Sequence, residues 1–170
     1  FMLHPGIIAK ESPSKVAYIM ADSGRQVSFE ELEKESNQGA HLFRSLGLKR
    51  GDHVALLMEN NEAFFKICWA AQRSGLYYTA ISWRLQQNEV KYIIENCGAK
   101  TFIASSDQKA VAEPILTDIP EVSNCFSIGG AISGFDDWTT AISGMSIDPI
   151  DDESEGQSML YSSGTTGYPK

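Results

Sequence analysis

The chain has 170 residues, 42% hydrophobic and 21% charged, enough for one packed core and too apolar for global disorder. Fourteen Lys and Arg against 22 Asp and Glu give a formal charge of −8, which argues against nonspecific nucleic-acid binding. No apolar run reaches the 18 or so residues of a membrane span, and the first residues lack the basic and apolar regions of a signal peptide. Cys68, Cys97 and Cys125 are widely spaced and odd in number. With His4, His41 and His53 they complete no metal-ligand spacing, so reduced cysteines in a cytoplasmic protein are expected.

The predicted elements begin with a short helix over residues 5–11, with Pro5 near its first turn and Ser12-Pro13 ending it. Val16 to Met20 and Gln26 to Ser28 read as two strands of a small antiparallel hairpin around Asp22-Ser23-Gly24-Arg25. Ser28-Phe29-Glu30-Glu31 is a capping box. It opens a helix with Leu32, Ser36, Gly39, Ala40, Phe43 and Leu46 near one face, and Gly47 ends it. His41 on this helix reads as a partly exposed polar residue. His53 to Met58 is a continuous apolar run, as in a strand covered on both faces. Asn60 or Asn61 can cap the next helix, which runs to about Ser74. Its Phe64, Phe65, Ile67, Cys68, Trp69 and Ala71 span more than one stripe and predict deep packing.

Tyr77 to Ile81 is the next strand, so strand, helix and strand form a βαβ unit with an expected right-handed crossover. The unit repeats: a helix from Gln87 to Asn96 ended by Gly98, a strand Thr101 to Ala104, a helix capped by Asp107 to about Leu116, and a strand Asn124 to Ile128. This alternation predicts an α/β fold: an open, mainly parallel sheet with helices on both faces, plus the N-terminal hairpin. Beyond Ala131 the pattern weakens. A short helix is expected near Phe135 to Trp138, with Trp138 and Ile142 inward. Asp148 to Glu155 holds five carboxylates without the spacing of a calcium loop and reads as a solvated connector.

The chain ends on its most biased stretch. A short apolar strand, Ser158 to Tyr161, leads into Ser162-Ser163-Gly164-Thr165-Thr166-Gly167-Tyr168-Pro169-Lys170. Glycines let successive N–H groups converge on an anion, hydroxyls add donors, and a lysine adds a point charge suited to phosphate. The residues therefore read as a phosphate-binding loop. The spacing is neither that of a Walker A loop nor that of the dinucleotide fingerprint. A Ser/Thr/Gly-rich surface turn is the bland alternative.

The order Ser-Ser-Gly-Thr-Thr-Gly-x-Pro-Lys resembles the phosphate-loop signature of the adenylate-forming enzymes: acyl-CoA synthetases, luciferases and adenylation domains of peptide synthetases. Ser162 stands where the family usually has Thr. Val27 to Leu32, Gly51 to Asn60 and Ile81-Ser82-Trp83-Arg84-Leu85 are also similar to family segments. Ala80 and Ser82 replace the usual proline and asparagine around the last one. The likeness runs from about residue 16 onward and is greatest to the carboxylate-CoA ligases of fatty acid metabolism.

What the resemblance implies is a two-step ligase using ATP, Mg2+ and coenzyme A on a small carboxylic acid. Ser162, Ser163, Gly164, Thr165, Thr166, Gly167 and Lys170 would hold the ATP phosphates, and Thr165 and Thr166 would offer hydroxyls to the magnesium shell. The adenine pocket, the acyl pocket and the catalytic lysine of such enzymes lie beyond this motif. Residues 1–170 are therefore expected to be an N-terminal subdomain truncated at its phosphate loop, inactive alone, with Ser162 to Lys170 loosely ordered and without nucleotide. Two other readings stand beside it: an adenylation domain loading an amino or aryl acid onto a carrier protein, and a non-catalytic α/β binding or structural domain. The expected location is cytoplasmic, with peripheral membrane contact through fatty substrates left open.

Overall fold

A computed structural model describes residues 5–161; the readings that fall on Ser162 to Lys170 lie outside the described residues. The chain opens with α1 (Gly6–Glu11) and a two-stranded antiparallel ribbon, β1 (Val16–Ile19) and β2 (Gln26–Ser28). The ribbon feeds directly into α2 (Phe29–Ser45), because Ser28 is both the last strand residue and the N-cap: its hydroxyl accepts from the Glu31 N–H at 3.1 Å. The Glu31 carboxylate, expected to reach back to the cap, is instead shared by Arg25 at 2.7 Å and Lys66 at 2.8 Å. Two cations outside the helix compete for it better than one backbone N–H does.

The main sheet has six strands in the order β7-β6-β5-β3-β4-β8. They are β3 (His53–Leu57), β4 (Tyr77–Ile81), β5 (Ala99–Ser105), β6 (Asn124–Ile128), β7 (Asp136–Asp137) and β8 (Gln157–Ser158). Every neighbouring pair in it is parallel. The helices α3 (Ala63–Arg73), α4 (Gln87–Cys97), α5 (Lys109–Ile115) and α6 (Trp138–Ser143) connect or follow the strands. The expected α/β architecture is therefore present, and the strands expected at its centre, β3 to β6, are in place.

Strand alternation sends successive side chains to opposite faces. Val54 and Leu56 of β3, with Ile103 and Phe126, pack under α2, α3 and α6; Ala55 and Leu57, with Ile81, Phe102 and Ala104, pack under α4 and α5. Both faces of β3 are buried, as its unbroken apolar run implied. Gly98 ends α4 at φ +65, where a side chain would be strained.

Three further local expectations need correction. Asp107 does not cap α5: residues Ser106–Gln108 form one 3-10 turn, and Gln108 occupies the capping position without a side-chain bond. Phe65 is 48% exposed and stands edge-on to Tyr18 of the ribbon, rather than deep in the core. In its place Lys66 and Arg73 of the same helix are buried. The acidic connector is only partly solvated: Ile150 is buried, Asp152 pairs with Arg44 at 3.0 Å, and Glu153 lies 3.6 Å from Arg73.

Candidate functional site

Parallel α/β sheets bind ligands at the carboxyl ends of their strands, most often where adjacent strands send their chains to opposite faces. Here that switch lies between β3 and β5, since β3 leads to α3 on one face and β5 to α5 on the other. The crevice is not empty of charge. Glu59, just after β3, accepts a hydrogen bond from the Ser105 hydroxyl at the end of β5 at 2.5 Å, and from the Asn61 amide at 3.2 Å. Partial burial alone would raise the Glu59 carboxyl. Bonds from Ser105, its own N–H, Asn61 and Gln108 outweigh burial and hold it below its ordinary value. An ionised carboxylate at the switch point disfavours phosphate there.

The phosphate-type sequence enters two strands away, beyond β8. Tyr77 pairs with Gln157 and Tyr78 with Ser158, so β8 runs parallel to β4 and carries the chain toward the carboxyl edge. The Met159 N–H donates to the Tyr78 carbonyl at 2.8 Å, and the Tyr161 hydroxyl donates to Asn96 Oδ1 of α4 at 2.6 Å. Met159 and Tyr161 pack against the α4 core, whereas Leu160 between them is 73% exposed. Ser162, Ser163, Gly164, Thr165, Thr166, Gly167 and Lys170 follow directly. Next to β8, the loop after β4 presents exposed Trp83 with the Arg84 guanidinium 5.0 Å over its ring.

β8 has only two residues, and what precedes it is strapped to α2 and α3. Asn37 donates to the Ile147 carbonyl at 2.8 Å, and the His41 Nε2–H donates to the Asp148 carbonyl at 2.9 Å. Arg44 reaches the Asp152 carboxylate through Nε, the Leu48 carbonyl through Nη1 and the Ser74 carbonyl through Nη2. Arg73, fully buried, pairs with Glu33 of α2 at 2.6 Å and Glu153 of the connector at 3.6 Å. The Gly156 N–H donates to the Gln72 carbonyl at 2.7 Å. A Cβ at Gly156 would press into the Leu76 carbonyl oxygen and lie 2.8 Å from the Leu76 nitrogen, so only glycine fits.

The other titratable clusters are structural. Lys66 joins Glu31, Glu35 and Glu62 at 2.8, 2.7 and 3.3 Å, tying α2 to α3. Burial would lower this ammonium, but Glu31 and Glu35 hold it above its usual range. Burial pushes the Cys68 thiol up to about 12 and Cys125 up to about 11, which removes the thiolate needed for nucleophilic work. Among the described residues, no group of three His, Cys, Asp or Glu is arranged to hold a metal, and no helix is long and apolar enough to cross a membrane. Sequence reasoning missed Glu59 and Arg73. A charged residue closing the apolar run of β3 was the available signal for the first.

Comparison with known proteins agrees with this geometry. The family described as AMP-binding enzyme matches residues 8–170. The fatty acid–[acyl-carrier-protein] ligase ScoC of Streptomyces coeruleorubidus is 29% identical over 95% of this chain and 30% of its own length. The crotonobetaine/carnitine–CoA ligase of Proteus mirabilis is 30% identical over 86% of this chain and 30% of its own. Among solved structures, the N-terminal domain of FACL13 from Mycobacterium tuberculosis superposes with a TM-score of 0.85 at 27% identity, covering 98% of this chain and 42% of that one. The anthranilate CoA ligase AuaEII in complex with anthranoyl-AMP gives a TM-score of 0.86 at 25% identity, covering 97% and 33%. The chain thus spans about 30% of the length of these curated relatives. It belongs to the family of AMP-binding, adenylate-forming enzymes, and fatty-acid ligases are among the relatives it resembles.

Proposed function

We propose that residues 1–170 form the N-terminal subdomain of an ATP-dependent carboxylate–CoA ligase acting on a fatty acid, and that Ser162 to Lys170 hold the ATP phosphates. The observation that carries this is the run Ser162-Ser163-Gly164-Thr165-Thr166-Gly167-Tyr168-Pro169-Lys170, entered from a parallel edge strand at the carboxyl side of the sheet. In the first step a carboxylate oxygen attacks the α-phosphorus of ATP and pyrophosphate leaves. In the second, the coenzyme A sulfur attacks the acyl carbon and AMP leaves. The chain's own part is to hold the β- and γ-phosphates while charge grows on the leaving pyrophosphate. Gly164 and Gly167 allow close backbone approach, Ser162, Ser163, Thr165 and Thr166 offer hydroxyls, and Lys170 supplies a cation. A magnesium ion would add counter-charge there, and Thr165 and Thr166 would offer it hydroxyls.

The choice of a fatty acid rests on relatives such as the long-chain-fatty-acid–CoA ligase FadD13 of Mycobacterium tuberculosis, 27% identical over 95% of this chain. A second reading has a specific support: ScoC is named for transfer to an acyl-carrier protein, so the acceptor thiol could belong to a carrier rather than to coenzyme A. ATP–pyrophosphate exchange by the full-length protein, across fatty, aryl and amino acids, tests the acid. Acyl transfer to coenzyme A or to a carrier protein then tests the acceptor. Exchange with fatty acids followed by acyl-CoA formation is expected. Absence of exchange with every acid overturns the ligase reading, and acyl-CoA formed by the 170-residue chain alone overturns its assignment as an inactive subdomain.

A further inference from the structure

A two-residue strand is a weak anchor for a loop that must meet phosphate groups with sub-ångström precision. Two ladder pairs and the Met159 bond hold β8 to β4. After it, Tyr161 bonds Asn96 and packs with Met159 against α4. Before it, the strap holds it, and the strap converges on Arg73. The Arg73 backbone carbonyl accepts the Ser154 N–H at 3.0 Å, while its side chain faces Glu153, one residue earlier. The far end of the same guanidinium is pinned by Glu33 of α2. Gly156, two residues after Ser154, then locks onto the turn that ends α3, and Gln157 donates to Leu76 at 3.1 Å. Burying a guanidinium is unfavourable compared with an apolar side chain of similar volume. What it adds to α2–α3 packing is direction: one rigid fork aligned between a helix and the strap.

We infer that Arg73 is a positioning residue that acts through Glu153 to set where the chain leaves β8, and so where the phosphate-binding residues begin. This rests on the phosphate-loop reading given above. Arg73 touches no substrate in this scheme. Its effect reaches ATP alone, through Glu153, Ser154, Gly156 and β8.

Two measurements test it separately. In the 170-residue chain, amide hydrogen exchange is followed for Glu153→Ala. The Ser154, Gly156, Gln157 and Met159 amides are expected to exchange on the order of tenfold faster, with the β3 and β5 amides unchanged. Unchanged rates at the strap, or an equal rise throughout the sheet, overturn the inference. In the full-length protein, ATP–pyrophosphate exchange is measured for Glu153→Ala, Glu153→Asp, Arg73→Lys and Lys170→Ala. Glu153→Ala is expected to raise the KM for ATP by about tenfold while leaving the KM for the acid within about twofold, and Glu153→Asp to restore part of it. Arg73→Lys, which keeps the charge but loses the fork, should shift KM for ATP in the same direction. If Lys170→Ala leaves the ATP KM unchanged, the phosphate-loop reading falls, and the exchange rates still decide whether the strap is held by Arg73. If Lys170→Ala responds and Glu153→Ala does not, the positioning role is wrong and the loop reading survives.

Discussion

The two edges of the main sheet are alike in length and opposite in how they are held. β7 and β8 each contribute two residues, one beside β6 and one beside β4. β7 runs straight into α6, and the first residue of that helix, Trp138, is 3% exposed. Its ring meets Phe43 of α2 and Phe126 of β6, each with centroids 5.6 Å apart. That edge is closed by an apolar wedge. β8 has no such buried indole: a buried arginine, a half-buried one, backbone bonds and a glycine hold the chain before it, and Met159 and Tyr161 lie against α4 after it. An apolar wedge stabilises without caring about a few tenths of an ångström. Charged forks and a close backbone approach fix a direction, at the cost of desolvating the charges. The edge that leads to the phosphate-type sequence has the second kind.

The difference is broken most severely at Trp138. Trp138→Ala removes the wedge and should cost about 3–5 kcal/mol of global stability. Urea unfolding of the 170-residue chain measures it. A loss below about 1 kcal/mol would mean that the β7 edge collapses onto the gap and is not held by its indole.

How much of this was readable follows from the kind of force. The wedge was legible, because Trp138 and Ile142 sit four apart at the start of a short helix and can only be core. So were the sheet strands, where burial on both faces writes itself as Val54 to Leu57. The strap was not. Lys66 and Arg73 lie in a helix whose aromatic content suggested Phe65 as the buried partner. Which of them goes inside depends on carboxylates supplied by Glu31 and Glu35 to Lys66, and by Glu33 and Glu153 to Arg73, all distant in sequence; only Glu62, four residues from Lys66, is local. The five carboxylates of 148–155 look like solvated charge until two arginines from other elements face them. Glu59 escaped for the same reason, since its partner Ser105 is 46 residues away. The phosphate-type motif was legible as a string of residue types, in which order matters more than tertiary context.

On the β8 side, Gly156→Ala is the sharper probe. The added methyl must displace the Leu76 backbone or push the strap outward. Overpacking of this sort costs about 1–3 kcal/mol, less than the Trp138 cavity. The strap gives way more easily than β4, so the loss should be concentrated in it: faster exchange at Gln157 and Met159, with Val54 and Ile103 protected as before. Equal loss of protection in β3 and β5 would show that β8 is as integral to the core as β7.

The smallest effect separates charge from shape at the β7 edge. Asp137 caps α6, accepting from the Thr140 N–H at 2.7 Å and the Thr140 hydroxyl at 2.6 Å. The hydroxyl first, and then the N–H, hold its carboxyl below the ordinary value of 3.8. A carboxylate lowered on folding contributes stability that is complete above its unfolded pKa and lost as pH falls through the folded one. The cap is therefore fully present above about pH 4 and fades below it. Asp137→Ala should cost about 1 kcal/mol at neutral pH. Asp137→Asn keeps an acceptor oxygen and should stay within a few tenths of wild type there. In acid the order changes, because the asparagine cap does not titrate: the gap between wild type and Asp137→Asn should close or reverse as pH falls below about 4. A gap that stays constant across an acid titration followed by urea unfolding would mean that Thr140 binds either oxygen type indifferently and that the charge of Asp137 contributes nothing to this edge.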